Sequence, residues 1–228
     1  MYKYVLFDLD GTLTDSKEGI INSVAYALEK MGISSEGRLD PHVIVGPPLL
    51  DTFEGYYGFS PEKARQAYSF FQERYSTIGK FENRAFEGIV PLLKNLKEKG
   101  IRSFVATSKP QVHAEAICEK FGLAPYLEAI AGPAIGGTDS KADVMARILK
   151  GIGSIQKGEA VMVGDRKFDI IGAHELGLPV IYAGYGYGNG AERKEYRPDY
   201  IAETVEDSAG CCFLTDSFTA MAVRHSDL

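Results

Sequence analysis

Two aspartates stand close together near the start of the chain, in the stretch YVLFDLDGTLTDS at residues 4–16. Asp8 and Asp10 follow an apolar run directly and are separated by one residue. Two carboxylates this close repel each other, and they lose hydration wherever the site is dry. A bound cation is the simplest way to offset that cost. The stretch therefore predicts a metal site, with further ligands elsewhere in the chain.

Two more polar clusters directly follow apolar runs further along the chain. They comprise Thr107, Ser108 and Lys109 in the first cluster, and Asp165 and Asp169 in the second. In open α/β sheets, ligands bind beyond the carboxyl ends of the strands. If the strands before these clusters are neighbours of the first strand, all the clusters meet at one place.

The acidic residues suit Mg²⁺, a hard cation that takes one or two carboxylates and keeps several waters. The expected ligands are Asp8, Asp165 and either the side chain or the carbonyl of Asp10. Asp169 is a further candidate, binding either directly or through water. We therefore expect a magnesium site built from oxygen ligands.

An anion facing this metal needs hydrogen-bond donors and positive charge. We expect the amides of Gly11 and Thr12, the hydroxyl of Thr107 and the ammonium group of Lys141 to supply them. Lys141 stands at the predicted start of a helix, where the helix N-terminus also favours negative charge. With a carboxylate available as nucleophile, the predicted chemistry is phosphoryl transfer through an aspartyl phosphate.

The elements that position these residues have the pattern of a doubly wound sheet. Five apolar runs, one of them weaker, are continuous rather than alternating, as strands are when helices cover both faces of a parallel sheet. The runs are 4–7, 103–106, 127–131, 160–163 and 180–183, and the helical patterns between them stop at Gly100, Gly122, Gly151 and Gly177. We predict an α/β fold with a mainly parallel, Rossmann-like core.

Residues 17–84 interrupt this pattern, because they contain helical apolar stripes and no strand-like run. Ser60 followed by Pro61 is typical of a helix start, with an N-cap and proline at the first helical position. We predict a catalytic core formed by residues 1–16 and 85–228, and a helical cap inserted at residues 17–84. The cap would act as a lid over the paired aspartates. The stretch after about residue 205 is poorly patterned, and its conformation is left open.

The composition is that of an ordinary globular protein, with 45% hydrophobic and 25% charged residues in 228. A net charge of −6 argues against nucleic acid as the partner but permits a small anionic substrate at a locally basic site. We expect no membrane segment, because no apolar run approaches ~20 residues. Three cysteines without a metal-binding spacing favour a reducing compartment. The expected setting is cytoplasmic, with a small phosphorylated metabolite as partner and no sign of an obligate protein partner.

Four segments together resemble a known family. DLDGTLTDS, TSKP, Lys141 and GDRKFD are similar, in order and spacing, to the four motifs of the haloacid dehalogenase-like hydrolases. The resemblance extends to about residue 205, and the cap position is that of the helical-cap branch called C1. The segment VGPPL at residues 45–49 and the TSKP motif are most similar to phosphoglycolate phosphatase-like and 5′-nucleotidase-like members.

The resemblance implies a role for each motif residue. Asp8 would be the nucleophile, and Asp10 the general acid that later acts as general base. The implied phosphate-binding residues are Gly11, Thr107, Ser108, Lys109 and Lys141, the implied metal ligands are Asp8, Asp10, Asp165 and Asp169, and the implied substrate contacts in the cap are Gly46 and Pro47.

The sequence leaves several alternatives open. A sugar phosphomutase uses the same motifs, whereas a dehalogenase would have no purpose for the Asp10 acid and the metal ligands. An inactive phosphate sensor would be expected to lack one of the motif residues, and a response-regulator receiver would not need the long insertion. The glycine-rich stretch 184–190 does not have the dinucleotide-binding spacing and predicts a loop. The substrate could be phosphoglycolate, a nucleoside 5′-monophosphate or a sugar phosphate.

Overall fold

The computed structural model describes residues 2–156 and 158–213, and six strands in these residues form one parallel sheet. The strands are β1 (Tyr4–Phe7), β2 (Arg102–Ala106), β3 (Leu127–Ala131), β4 (Ala160–Gly164), β5 (Val180–Ala183) and β6 (Tyr200–Ala202). Their order is β3-β2-β1-β4-β5-β6. The predicted doubly wound α/β fold is confirmed with all five predicted strands. The strand β6 was not predicted, because three residues at a sheet edge give too short an apolar signal.

Ten α-helices, and two short 3-10 helices at Gly79–Phe81 and Ala124–Tyr126, accompany the sheet in the described residues. The α-helices are α1 (Lys17–Lys30), α2 (Pro41–Ile44), α3 (Leu49–Gly55), α4 (Pro61–Tyr75), α5 (Ile89–Glu98), α6 (Gln111–Lys120), α7 (Lys141–Ile152), α8 (Lys167–Glu175), α9 (Gly190–Tyr196) and α10 (Val205–Cys212). The predicted stop at Gly151 is wrong, because α7 continues through it. Gly153, with a φ of 95°, ends that helix instead. Residues beyond 213 of the poorly patterned C-terminal stretch lie outside the described residues.

Helices cover both faces of the sheet, which explains why its strands are apolar on both sides. On β1, Val5 and Phe7 belong to the apolar cluster that includes residues of α5, α6 and α10. Leu6, which points to the other face, belongs to the cluster with residues of α7 and α8. A strand with both faces buried needs apolar residues at every position, as the continuous run predicted.

Residues 17–84, called the insertion below, contain helices and no strand. The helices α1 and α4 share an apolar cluster of their own, which includes Val24, Leu28, Ala67 and Phe71. The side chain of Ser60 accepts a hydrogen bond from the Lys63 amide and caps α4. The insertion therefore packs around a separate apolar centre rather than extending that of the sheet.

The strand order brings the polar clusters together. Because β1 lies between β2 and β4, the carboxyl ends of these three strands are adjacent.

The three cysteines are free and buried. Among the helices of the described residues, none has the length and apolar character that crossing a membrane requires.

Candidate active site

Three buried carboxylates meet at the carboxyl ends of β1 and β4. Asp8, Asp165 and Asp169 each offer one oxygen, and these oxygens lie within 4.8 Å of one another. Asp8 is 5% exposed, and the other two are completely buried. The Asp8 amide donates to the Val163 carbonyl at 2.8 Å, which extends the pairing of β1 and β4 by one residue beyond the strand. The parallel pairing of these strands thus fixes the spacing of the acidic groups.

Lys141 enters this cluster from the start of α7. Its ammonium group lies 2.7 Å from Asp8 Oδ1 and 2.9 Å from Asp169 Oδ1, and it donates to the Ala106 carbonyl at 3.1 Å. Burial lowers the pKa of Lys141, but Asp169 and Asp8 outweigh that effect and raise it overall, so the amine stays charged. A capping box on Ser140 fixes where the helix begins, and so fixes this lysine.

The cluster carries an excess of negative charge. Burial raises the pKa of Asp8 to about 6, since Asp169 and Asp10 offset part of the stabilisation by Lys141. Burial, together with the charges of Asp8 and Asp169, raises the pKa of Asp165 well above its usual range. Three close carboxylates around one ammonium group are a donor set that fits a divalent cation with oxygen ligands.

Asp10 lies apart from the three-carboxylate cluster. Its Oδ2 lies 2.8 Å from the ammonium group of Lys109, and its buried Oδ1 has no hydrogen-bond partner in the part of the chain that the structure describes. Lys109 also donates to the hydroxyl of Tyr75 from α4. The structure therefore places the side chain of Asp10 where the core meets the insertion.

The turn after β1 is built tightly around the acidic cluster. Gly11 has a φ of 87°, and a Cβ there would overlap the Asp165 carboxylate, so only glycine fits. The sequence predicted that the amides of Gly11 and Thr12 bind phosphate. In the structure they instead donate to the carbonyls of Thr14, at 2.8 Å, and Leu9, at 3.3 Å. Both amides are used inside the turn because the chain must reverse sharply after the second aspartate.

The loop after β2 holds the remaining predicted phosphate-binding residues. The hydroxyl of Thr107 accepts a hydrogen bond from the Lys109 amide at 3.1 Å, and Thr107 is buried. Ser108 lines a cavity between the core and the insertion, as do Gly46 and Pro47 of the insertion. The structure thus places Ser108, Gly46 and Pro47 on one cavity, which Asp10 also lines.

This cavity has a volume of about 160 Å³. It can hold several waters of ~30 Å³ each, and hence a small organic group. Its walls from the insertion include Tyr68, Phe71 and Tyr75, and the core contributes Lys109 and His113. The cavity also reaches Asp10, so it leads from the insertion to one of the paired aspartates.

Tyr187 is a site residue that sequence reasoning missed. Its amide donates to Asp165 Oδ2 at 2.7 Å, and its hydroxyl donates to Asp15 Oδ1 at 2.7 Å. Its carbonyl accepts a hydrogen bond from His42 Nδ1 at 2.8 Å. For the glycine-rich stretch 184–190 the sequence predicted a loop and no more. Nothing in the sequence distinguished this tyrosine from its neighbours.

Arg166 is a second missed residue, next to Asp165 in the GDRKFD segment. Its guanidinium group lies 3.0 Å from Glu192 and donates to the carbonyl of Val45 in the insertion. Its position beside a predicted metal ligand was the available signal. The partner in the insertion could not be read from the sequence, because the contact depends on how the two parts pack.

Comparisons with known proteins agree with this geometry. Residues 5–183 match the family model described as haloacid dehalogenase-like hydrolase. A 5′-nucleotidase of Pseudomonas aeruginosa is 38% identical over 199 residues, which cover 87% of this chain and 90% of that protein. The tyrosine-protein kinase PtkA of Mycobacterium tuberculosis is 41% identical over 203 residues, which cover 88% of this chain but 65% of PtkA.

A solved structure is also similar throughout its length. It is described as a predicted phosphatase from Clostridium acetobutylicum, with 41% identity and a TM-score of 0.87. The match covers 92% of this chain and 98% of that one. The chain belongs to the haloacid dehalogenase-like hydrolase family. Its enzyme class is that of the phosphoric monoester hydrolases.

Proposed function

We propose that this chain is a Mg²⁺-dependent phosphatase that hydrolyses small phosphate monoesters through an aspartyl phosphate on Asp8. The observation that carries the proposal is the convergence of Asp8, Asp165, Asp169 and Lys141 within hydrogen-bonding or ligand distance. A buried nucleophile beside one fixed ammonium group and two further carboxylates is suited to phosphoryl transfer, which depends on positioning and electrostatic stabilisation.

Asp8, Asp165 and Asp169 would hold the metal ion, whose charge would neutralise phosphate oxygens and keep Asp8 ionised. Lys141, the first residue of α7, contacts Asp8. Its ammonium group would therefore lie close enough to stabilise charge on a phosphoryl group transferred to Asp8. Thr107 and Ser108, at the end of β2, would add hydroxyl donors to the same group.

The two aspartates after β1 would divide the chemistry between them. The carboxylate of Asp8 attacks phosphorus while the bond to the leaving oxygen breaks, and Asp10 gives that oxygen its proton. Water then attacks the phosphorus of the acyl phosphate, with Asp10 accepting its proton, which releases inorganic phosphate and restores Asp8. The side chain of Asp10 contacts Lys109 and is not part of the three-carboxylate cluster, so it is separate from the expected metal ligands.

The insertion would act as the cap of this active site, and residues 1–16 and 85–228 as its catalytic core. Tyr75 of the insertion contacts Lys109, and the carbonyl of Val45 contacts Arg166, so the insertion rests directly on site residues. Covering the site excludes water, which strengthens every electrostatic interaction inside it. We place the activity in a reducing compartment, because the three cysteines are free.

The test is a panel of phosphate esters assayed with and without Mg²⁺, for the wild-type protein and Asp8→Asn. Phosphate release should require the metal and fall at least ~10³-fold in Asp8→Asn, because the covalent nucleophile is lost. Asp207→Asn is the matched control, since Asp207 is an exposed carboxylate in α10 and should leave the rate unchanged. Equal turnover by Asp8→Asn would reject the mechanism. Interconversion of sugar phosphates without phosphate release would indicate a phosphomutase.

A further inference from the structure

The positive charges of the insertion lie outside the cavity. The insertion has eight lysine and arginine residues, and none of them lines the cavity between insertion and core. They are Lys17, Lys30, Arg38, Lys63, Arg65, Arg74, Lys80 and Arg84. The part of a substrate that enters this space therefore meets no cation from the insertion.

Two arginines of the insertion, Arg74 and Arg84, already form ion pairs outside the cavity. Arg74 on α4 makes two hydrogen bonds with Glu82, at 2.7 and 2.8 Å. Arg84 lies 2.7 Å from Asp15. Redirecting either guanidinium group into the cavity would break an existing ion pair, so neither is available to hold an anion there.

Among the residues that the structure describes, the core adds one cation to the cavity wall, and that cation already has a partner. Lys109 lies 2.8 Å from Asp10. His113 adds no charge at neutral pH, because burial and the nearby Lys109 and Lys80 lower its pKa to about 4. Two exposed carboxylates, Asp51 and Asp139, also line the cavity. The local balance of charge is therefore unfavourable for an anionic leaving group.

The remaining walls are flat and largely apolar. Tyr68, Phe71 and Tyr75 lie on one face of α4, with ring centroids 6.2 and 4.9 Å apart and interplanar angles of 18° and 15°. Pro47, in the loop before α3, and Leu49, the first residue of that helix, line the same space. Such walls favour burial of a ring or another apolar surface.

We infer that the site selects phosphate monoesters whose leaving group carries no second negative charge and presents a flat or apolar surface, such as a nucleoside. Phosphoglycolate, sugar bisphosphates and pyrophosphate would each bring an additional anion into a cavity whose described lining residues include no unpaired cation, and an unpaired charge is costly to bury. This inference rests on the proposed function, because it assumes that the phosphate lies at Asp8 and the leaving group in the cavity.

The first experiment separates the inference from the proposed function. Dissociation constants of uridine 5′-monophosphate and phosphoglycolate are measured by calorimetry with Mg²⁺ on Asp8→Asn, which would bind without turnover. The nucleotide should bind at least ~10-fold more tightly, because the second anion of phosphoglycolate is left unpaired. Equal or tighter binding of phosphoglycolate would overturn the inference, whatever the hydrolysis rates are. Failure of the proposed function would appear in a different measurement, the phosphate-release assay, where wild type and Asp8→Asn would then hydrolyse esters at the same rate.

The second experiment places a cation in the cavity. In Gln72→Arg the new side chain lines the cavity, whereas in the matched control Gln66→Arg the same change lies on an exposed position of α4. Gln72→Arg should shift the ratio of kcat/KM values at least ~10-fold toward phosphoglycolate, because a charge-assisted pair becomes possible. Leu49→Arg, from another wall, is expected to do the same and serves if Gln72→Arg does not fold. If Gln72→Arg and Leu49→Arg both have the same ratio of kcat/KM values as Gln66→Arg, the inference is contradicted.

Discussion

The ammonium group of Lys109 lies 2.8 Å from the Asp10 carboxylate, and the same group contacts the hydroxyl of Tyr75. All three side chains are buried. One cation thus joins the proposed general acid in the core to helix α4 of the insertion. The placement of Asp10 and the position of the insertion over the site are linked through this contact.

Lys109→Met should lower kcat on a good ester by ~10²-fold, a loss typical of a displaced acid–base group. The buried Asp10 loses its ion pair and its fixed position, whereas the other walls of the cavity, which would bind the leaving group, are retained. KM should therefore change much less than kcat. Tyr75→Phe keeps the ion pair between Lys109 and Asp10, so its kcat should fall less than ~10-fold. Steady-state kinetics of both variants check this, and equal losses would show that the ion pair has no separate role.

Lys141→Met should destabilise the metal-free protein by ~3–5 kcal/mol, the usual cost of leaving buried charges without their partner. Asp169→Asn added to this variant should recover part of that loss, because it removes one of the unpaired carboxylates. Urea unfolding in the presence of a chelator measures both free energies of unfolding. Asp169→Asn alone is measured as well. If the loss of unfolding free energy in the double variant equals the sum of the losses in the two single variants, Lys141 and Asp169 do not interact energetically.

The acidic cluster and Lys141 could be predicted from the sequence because each follows a strand or starts a helix. The parallel sheet then places the ends of β1, β2 and β4 side by side. Contacts between the core and the insertion could not be predicted. The pairing of Lys109 with Tyr75 and that of Arg166 with Val45 depend on how two separately packed units meet. No sequence spacing encodes that arrangement.

Some local features also lay beyond the sequence signal. The hydrogen bonds of Tyr187 depend on the path of a glycine-rich loop, whose backbone has many allowed conformations. The use of the Gly11 amide inside its turn depends on the turn closing on the Thr14 carbonyl. Paired aspartates predict a charged site there, but they do not show which amides remain free.

His113 should make stability depend on pH in a defined direction. Burial, Lys109 and Lys80 lower its pKa from the ordinary value of 6.5 to about 4, so the folded protein favours neutral imidazole. The resulting stability is present above pH 6.5 and is lost as the pH falls toward 4. In His113→Gln an amide can still reach Gln72, which lies 2.9 Å from the histidine Nε2.

Urea unfolding at neutral pH and at pH 4.5 tests this effect. The wild type should lose ~2 kcal/mol more than His113→Gln between these conditions, because one proton must be released on folding at the lower pH. Carboxylates that titrate in the same range affect both proteins alike, so the difference isolates the histidine. The same loss in the two proteins would show that the His113 pKa is not lowered by folding.

Gly46→Ala should lower kcat/KM clearly while lowering the free energy of unfolding only slightly. Gly46 has a φ of 108°, and an added Cβ would lie 2.7 Å from Nη1 of Arg166, pushing the loop of the insertion away from the core. Gly58→Ala is the control, because Gly58 also has a positive φ, of 67°, but no atom lies within 4 Å of the new Cβ. Both variants should unfold ~1 kcal/mol more easily.

The kinetic comparison of these two variants is decisive for the role of the loop. Only Gly46→Ala should lose kcat/KM, by ~10-fold or more, since a small misplacement of positioning groups commonly costs this much. Equal kcat/KM values in Gly46→Ala and Gly58→Ala would mean that close packing of this loop on Arg166 is not needed for turnover.

Direct detection of the covalent intermediate tests the central proposal. An acyl phosphate on an aspartate can be reduced with borohydride to homoserine, and peptide mass spectrometry then locates the change. With a hydrolysable ester and Mg²⁺ present, we expect homoserine at Asp8, and none when the ester or the metal is omitted. Phosphate release at the normal rate, with Asp8 unmodified or another aspartate reduced instead, would contradict it.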